Sequence, residues 1–515
     1  MSMSTSTRTE APAPVAVATR PMSPPPDATW GLSLAVVVIG VFMSVLNTTS
    51  VNVALSRMAA DLAASTDDIQ WVSTAYNLCL GVVVPASAWL GDRLGLKRLY
   101  LWSLVGFCVG SALCGLATDL TSEIVFRVLQ AAPGGMLPVT CMTILYRIVP
   151  KQRIGTAMGL YGLGMVVAPA VGPTLGGYLV EYASWRLVYF VNLPVGLIGL
   201  VAAAAVLPKL EGRPGRRFDA PGFACIAGGL FALLLAASEG EDWGWTGYRV
   251  LLLVVVAVLL LALFVVIELE VDDPLLDVRA LRNWPLVNSL VLIALQAIGL
   301  FAVSFYVPIF LQEGQGLTAL NTGFVLLPQG LVMMLCMPLA GRITDRFGAR
   351  WPAVAGLAIS GVGLLMLARI NPDMTRGEFI AALMLRAVGP GLAMMPITTA
   401  GISSLPPHLA GAGSAFNQLV QRVTAALGLA MLTALATGRQ AQLWADRSAL
   451  LTPADERVHT MAARGAEGLA PLYESLQLHV LAQAYSDVFL LCGAVTLAAI
   501  PLALFIRRPA TGGPA

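Results

Sequence analysis

The residues of this 515-residue chain best placed to do chemistry are two Asp-Arg pairs set between long apolar segments. Asp92 and Arg93 lie in Gly-Asp-Arg-Leu-Gly at 91–95, and a second pair follows 253 positions later in Thr-Asp-Arg-Phe-Gly at 344–348. A charged pair between two membrane-length segments must lie at a helix end, where water reaches it. There the carboxylate can meet a basic residue or a helix N-terminus, and the guanidinium can bind an acidic partner. We predict two copies of one gate, formed by Gly91, Asp92, Arg93, Gly95, Asp345, Arg346 and Gly348.

Arginines inside the apolar segments are the second group of candidates, namely Arg127, Arg386 and Arg422. An arginine near the centre of a membrane helix costs about 2.5 to 3.5 kcal/mol on insertion scales, so a lipid-facing position is unfavourable. We predict that Arg127 faces a central cavity. The alternative is that it lies near the outer end of its helix beside Glu123 and extends to the membrane surface.

Metal and redox chemistry find little support in the sequence. The three histidines, His408, His459 and His479, fall in predicted loops, and the seven cysteines lie in apolar segments without a Cys-x-x-Cys motif. We therefore expect neither a metal site nor a cofactor. The lack of such a site in the sequence also argues against the non-transport alternative, a membrane enzyme or sensor.

The elements that position these residues follow from composition. The chain is 57% hydrophobic and 12% charged, with a mean hydropathy of +0.78, which is typical of an all-α integral membrane protein. A formal net charge of +2 gives no reason to expect nucleic acid as a partner. The lipid bilayer is the partner that this composition requires.

Segments of about 20 apolar residues, the length that a bilayer core requires, occur fourteen times. They lie near 31–54, 69–90, 99–117, 122–144, 154–176, 188–207, 220–238, 250–267, 286–311, 322–341, 352–370, 379–403, 411–436 and 484–506. Because the signature occurs twice, we divide the fourteen spans into six, two additional ones and a second set of six. The predicted divisions are a disordered cytoplasmic tail (1–29), an N-terminal six-helix bundle (30–207), a linker with two additional helices (208–285), a C-terminal six-helix bundle (286–506) with an extracytoplasmic loop (438–483), and a cytoplasmic tail (507–515).

Lysine and arginine are concentrated in alternate loops, which predicts the orientation. With both termini in the cytoplasm, the inner segments hold most of these residues and both Asp-Arg pairs, whereas the short outer loops hold only Arg57, Arg186, Arg249, Arg369 and Arg376. The sequence thus predicts a multi-pass protein of the bacterial plasma (inner) membrane.

These motifs resemble the major facilitator superfamily, and within it the fourteen-span drug:proton antiporter family typified by EmrB and QacA. Residues 88–98, Ala-Trp-Leu-Gly-Asp-Arg-Leu-Gly-Leu-Lys-Arg, are similar to its loop signature G-x-L-x-D-R-x-G-R-K, with Ala88 in place of the first glycine and Leu96 in place of an arginine. Arg127 and Gln130 resemble its R-x-x-Q-G motif, with Ala131 in place of the glycine. The resemblance covers nearly the whole chain and implies a latch that holds the cytoplasmic side closed.

The fifth span carries the motif that indicates direction. Ala-Pro-Ala-Val-Gly-Pro-Thr-Leu-Gly-Gly at 168–177 resembles G-x-x-x-G-P-x-x-G-G, which in this superfamily marks exporters more than importers. Its glycines let another helix approach closely and its prolines remove backbone hydrogen bonds. The predicted motif residues are Gly159, Pro169, Gly172, Pro173, Gly176 and Gly177.

The first span departs from the family at one informative position. Residues 46–55 resemble L-D-x-T-x-V-N-V-A-L, but Asn47 stands where an aspartate is expected, and an amide cannot carry a proton. Proton coupling is therefore implied by the resemblance alone. Further cavity candidates that match the family are Thr48, Trp71, Tyr76, Asn77, Tyr306 and Gln312.

The function that the resemblance implies is export of drugs or of an amphipathic metabolite, driven by the proton gradient and working by alternating access. The alternative on the same fold is translocation of a lipid or lipid-like molecule. Aromatic and uncharged polar groups in a cavity poor in carboxylates suit a neutral or amphipathic organic substrate. In a Gram-negative host a periplasmic adaptor protein is a further possible partner.

Overall fold

A computed structural model describes residues 29–212, 217–372, 374–450 and 466–506. Sixteen α-helices lie in these ranges: α1 (Thr29–Asp61), α2 (Thr66–Leu94), α3 (Leu96–Gly115), α4 (Leu120–Ile148), α5 (Ile154–Tyr182), α6 (Arg186–Phe190), α7 (Asn192–Val206), α8 (Ala220–Glu239), α9 (Tyr248–Glu270), α10 (Trp284–Ile309), α11 (Ala319–Phe347), α12 (Arg350–Leu367), α13 (Arg376–Ser403), α14 (Ala410–Leu450), α15 (Ala466–Ala498) and α16 (Ile500–Leu504). Short helical turns at Lys151–Arg153, Val278–Arg282, Phe310–Gly314 and Pro407–Leu409 complete the ordered structure there.

Fourteen helical stretches in the described ranges are long and apolar enough to cross a membrane, which confirms the predicted number. Helices α6 and α7 together form the sixth stretch, Arg186–Val206, and α15 with α16 forms the last, Tyr473–Leu504. The prediction of an all-α membrane fold is confirmed as well. The tails predicted at 1–29 and 507–515 lie outside the described residues, except that Thr29 begins α1.

The spans form two six-helix bundles with two helices between them. Large buried side chains, among them Tyr100 and Phe107, pack together inside α1–α7, while Phe379 and Phe489 do so inside α10–α16. Helix α8 packs against α2 and α9, and α9 leaves most of its apolar side chains exposed, as lipid contact requires.

The ends of equivalent helices repeat the same local chemistry in both halves. Ser65 caps α2 and Thr318 caps α11, each with its side-chain oxygen accepting a backbone N–H three residues on. The same two helices end at Gly95 and Gly348, both with φ of +87°, a left-handed conformation that glycine adopts without strain. The duplication inferred from the Asp-Arg pairs therefore extends to the caps of the helices that carry them.

The segment 438–483 differs from the predicted loop. Helix α14 continues to Leu450, and α15 begins at Ala466, so only 451–465 lies outside the described residues. Leu443, Val480 and Ala484 form a small apolar cluster between the two helices, and Arg439 pairs with Asp487 at 2.7 Å. The sequence did not indicate this packing because its residues are mostly polar. An apolar contact at every third or fourth residue is nevertheless enough to hold two helices together. His479, expected in a loop, is accordingly helical.

Candidate functional site

The second Asp-Arg signature connects the two halves. Asp345 lies in the last turn of α11, and its carboxylate accepts the backbone N–H of Gly155 at 2.7 Å and that of Thr156 at 2.8 Å. The Thr156 hydroxyl donates to the same carboxylate at 2.5 Å. These donors are the first residues of α5, so the carboxylate of one half caps the positive end of a helix in the other half.

Glycines make this approach possible. A Cβ on Gly155 would lie 2.6 Å from the carbonyl oxygen of Gly341, and one on Gly159 would lie 2.5 Å from that of Met337. Both distances are shorter than any Cβ contact, so the backbones of α5 and α11 touch directly. We call the side of the protein that carries the C-terminal ends of α2 and α11 the signature face; on this face the two halves are closed against each other.

The first signature has a different partner. Asp92 accepts a hydrogen bond from the Arg147 guanidinium of its own half at 3.1 Å, and Arg93 lies over the Trp89 ring at 5.0 Å. Asp92 also lines a cavity of about 410 Å³ together with His408 of the other half.

The close backbone contact is also specific to one signature. The pair related by the repeat to Gly341 and Gly155 is Ala88 and Gly411, and a Cβ on Gly411 would still be 4.0 Å from the Ala88 Cβ. The two copies are thus equivalent in sequence but not in the tightness of their contact. A Cβ at Gly411 would thus find room that one at Gly155 would not.

The remaining signature residues lie at the C-terminal ends of the same two helices, α2 and α11. A Cβ on Gly91 would meet the Leu96 side chain at 2.9 Å, and one on Gly95 would lie 2.4 Å from the Leu210 carbonyl oxygen. Gly348 ends α11. Arg346 lies over the Phe347 ring at 5.3 Å and lines a pocket with Thr156 and Asp345.

Arg127 is fully buried inside the N-terminal half, which excludes the predicted alternative of extension to the membrane surface. Its Nη1 donates to Asn47 Oδ1 at 2.6 Å and to Gln130 Oε1 at 2.9 Å, and its Nε donates to the Val72 carbonyl at 3.3 Å. The guanidinium lies 3.8 Å from the centre of the Tyr76 ring. Four of the predicted pathway residues, on α1, α2 and α4, are therefore in mutual contact.

Two further predicted pathway residues, Thr48 and Arg422, lie near Tyr76 of this group, and the remaining ones do not join it. Thr48 and Trp71 are half-buried, and Asn77 and Gln312 are exposed. Tyr306 packs on Tyr485 inside the C-terminal half, with its hydroxyl 3.1 Å from Thr433 Oγ1. Arg386 is buried on the face of α13 that packs against Gly363 of α12, whereas Met395, half a turn out of phase with it, meets Gly162 of the other half.

The glycines of the fifth-span motif contact two different helices. Gly159 meets α11, whereas Gly172 and Gly176 meet α1, where a Cβ would lie 2.0 Å from Thr49 Oγ1 and 2.8 Å from the Ser50 carbonyl oxygen. Gly177 has only one neighbour, Val53, at 3.9 Å. Pro169 lies inside α5 between these two contact regions, and Pro173 lies within the second one. One helix thus serves the contact between the halves at its start and packing within its own half further on.

Glu123, named from the sequence only as a neighbour of Arg127, was not among the predicted pathway residues. The structure buries it completely, with Oε1 accepting the Tyr189 hydroxyl at 2.5 Å and Oε2 without a hydrogen-bond partner in the described chain. Its spacing of four residues before Arg127 places both on one helix face, a signal that the sequence did contain.

Comparison with known proteins agrees with this architecture. Residues 37–429 match the family model of the Major Facilitator Superfamily. The chain is 31% identical to a multidrug resistance protein B homolog of Mycobacterium tuberculosis, over 92% of this chain and 89% of that one. It is also 31% identical to the tetracenomycin C resistance and export protein of Streptomyces glaucescens, over 92% and 91%.

A solved structure, that of the human organic anion transporter MFSD10 (TETRAN), superposes with a TM-score of 0.60 over 93% of this chain and 100% of its own. At 14% identity this likeness concerns the fold alone. The doubled signature, the six-two-six arrangement of spans and the match over most of the sequence lead to one conclusion: this chain is a fourteen-span member of the Major Facilitator Superfamily.

Proposed function

We propose that this protein exports small amphipathic organic molecules, drugs among them, by alternating access between its two halves. The observation that carries the proposal is the Asp345 carboxylate bound to the N-terminus of α5 in the opposite half. Such a contact exists only while the signature face is closed, so breaking it and remaking it accompanies any rocking of the halves. The name of the Streptomyces relative, a resistance and export protein, supports the direction of transport, and the Mycobacterium relative is named for multidrug resistance.

We place the protein in a bacterial inner membrane with both termini in the cytoplasm. The excess of lysine and arginine in the loops of the signature face supports this orientation. The closed side is then the cytoplasmic side, so the described conformation is closed toward the cytoplasm. If the host is Gram-negative, the parts of α14 and α15 within 438–483 supply a surface for a periplasmic adaptor on the side opposite the signature face.

The proposed driving force is the proton gradient, with Glu123 as the residue that carries the proton in place of the missing aspartate at Asn47. The titratable and charged groups around it are Arg127 on its own helix, Arg186 and Tyr189 on α6, and Cys114 on α3. Both arginines direct their guanidinium groups to other acceptors, Arg186 to the Ala117 carbonyl at 2.8 Å. A buried carboxyl without an ion pair and with one free oxygen is suited to gaining and losing a proton.

Inverted membrane vesicles give the test. With an acidic interior, parent vesicles are expected to accumulate fluorescent amphipathic substrates, and Glu123→Gln vesicles are expected to lose the response to the pH gradient while still binding substrate. Glu181→Gln, which removes an exposed carboxylate at the end of α5, is the matched control. Transport that is the same with and without the gradient would show that proton antiport is wrong.

A further inference from the structure

One face of α14 is directed toward the N-terminal half. A Cβ on Gly411 would lie 3.8 Å from Thr143 and 4.0 Å from Ala88, both in that half. Ala415, Gln418 and Arg422 follow Gly411 at intervals of four, three and four residues, which places them on the same helix face. Arg422 accordingly lies close enough to Tyr76 of α2 to interact with it electrostatically.

Arg422 lies deep in the membrane. It follows Gly411 by eleven positions, so it is about 17 Å further along the helix from the signature face. The hydrocarbon core of a bilayer is about 30 Å thick, so this depth is close to its middle. Among the charged residues of the C-terminal half, Arg422 is therefore placed at the depth where a bound substrate is held in alternating access.

The polar groups on this face have no acceptors in the described part of the chain. Arg422 forms neither a hydrogen bond nor an ion pair there, and its Nε is both buried and unpaired. Gln418 is 5% exposed, and its Nε2 also has no acceptor. The neighbouring Gln421 and Asn417 bind each other at 2.7 Å and leave these donors unmatched.

The side of the N-terminal half that faces α14 also carries an N–H donor without an acceptor in the described residues. Arg127 draws the amide oxygen of Asn47 toward itself, which leaves Asn47 Nδ2 without an acceptor in the described part of the chain. Tyr76 has the Arg127 guanidinium over its ring and is within electrostatic range of Arg422 from the other half. The groups that meet here carry two positive charges and unpaired N–H donors, and within the described ranges no carboxylate forms an ion pair with either guanidinium.

We propose that Gln418 and Arg422 bind the anionic group of the transported molecule, so that the substrate class is amphipathic organic anions, carboxylates above all. A guanidinium offers two parallel N–H donors that match a carboxylate, and the low dielectric of a membrane protein interior strengthens that pair. An anion supplies both the missing acceptors and the missing negative charge. This proposal rests on the export function above and names the substrate that the function serves.

Three probes that differ in one group test it: a dansyl-labelled undecanoic acid, its methyl ester and the matching alkyl amine. Binding is measured by dansyl fluorescence on the full chain in nanodiscs of zwitterionic lipid, with empty nanodiscs subtracted. The acid is expected to bind the parent protein at least tenfold more tightly than the ester or the amine. Arg422→Gln is expected to remove this preference while ester binding stays unchanged, and Arg249→Gln, an exposed arginine of α9, is expected to behave as the parent.

Charge reversal keeps the test decisive if Arg422→Gln folds poorly. Arg422→Glu is expected to turn the preference toward the amine. Lack of preference for the acid, whether all three probes bind alike or none binds, would overturn the proposal; gradient-driven transport of a cationic dye in the vesicle assay would then leave the export function standing.

Added phosphatidylglycerol separates two sources of the anion. Competition with the acid assigns a lipid head group, and acid preference without competition assigns a soluble anion.

Discussion

The carboxylate of Asp345 accepts the backbone N–H of Thr156 at 2.8 Å, although the two residues belong to opposite halves of the protein. A charged hydrogen bond contributes about 1.5 to 3 kcal/mol, and a carboxylate at a helix N-terminus adds about 0.3 to 1 kcal/mol. Three donors converge on this one side chain. The latch is therefore strong enough to bias which side of the transporter is closed.

Asp345→Asn is expected to shift the protein away from the conformation that is closed on the signature face. The amide keeps the size of the side chain but removes the charge and one acceptor, so we expect about a tenfold shift in population. Spin labels at the exposed positions Lys151 and Arg350 report the distance between the halves by electron–electron double resonance. Asp242→Asn, in the loop between α8 and α9, is the control. Identical distance distributions in parent and Asp345→Asn would contradict the role of the latch.

Gly159→Ala and Gly177→Ala are expected to have opposite outcomes, although both change a glycine of one motif. The first methyl group would lie 2.5 Å from the Met337 carbonyl oxygen, whereas the second meets only Val53 at 3.9 Å. Overpacking costs about 1 to 3 kcal/mol, and in Gly159→Ala this cost falls on the closed state. We expect at least tenfold slower transport for Gly159→Ala and parental transport for Gly177→Ala. Equal rates for the two variants would mean that the α5–α11 contact does not limit transport.

Asn47→Asp is expected to admit cationic dyes that the parent transports poorly. The new carboxylate would lie at the position of an amide oxygen that is now 2.6 Å from Arg127 Nη1, and it would cancel the charge of that arginine. Ethidium uptake into inverted vesicles measures the gain, with Asn52→Asp on the exposed part of α1 as the control. If uptake is unchanged, the charge at position 47 does not set the substrate class.

Arg127→Ala and Arg422→Ala are expected to differ in stability. Removing Arg127 leaves the oxygen of Asn47 buried without a donor and that of Gln130 with only the weak Cys114 thiol at 3.8 Å, and a buried unsatisfied group costs about 1 to 3 kcal/mol. Arg422 has no hydrogen bond in the described chain to lose, so its removal is expected to leave the midpoint of thermal unfolding unchanged or higher. Fluorescence-detected thermal unfolding in detergent makes the comparison. A larger loss for Arg422→Ala would show that it has a structural partner.

Sequence alone predicted the number of spans because each must be apolar over about 20 residues, a signal that needs no knowledge of neighbours. It predicted that both Asp-Arg pairs lie at helix ends because a charged pair between two apolar segments has few places to lie. It failed for 438–483, where two polar helices are held by a few apolar contacts between residues such as Leu443 and Val480.

Tertiary structure decided which of these residues meet. Asp92 and Asp345 look alike in the sequence, yet one binds a guanidinium and the other a helix N-terminus, because Gly155 and Gly341 allow a backbone contact that Ala88 and Gly411 do not reach. The same holds for the arginines: Arg127, Arg386 and Arg422 all occur within apolar segments. Partners that are distant in the sequence satisfy Arg127 and leave Arg422 with donors to spare, because hydrogen bonding depends on which helices pack together.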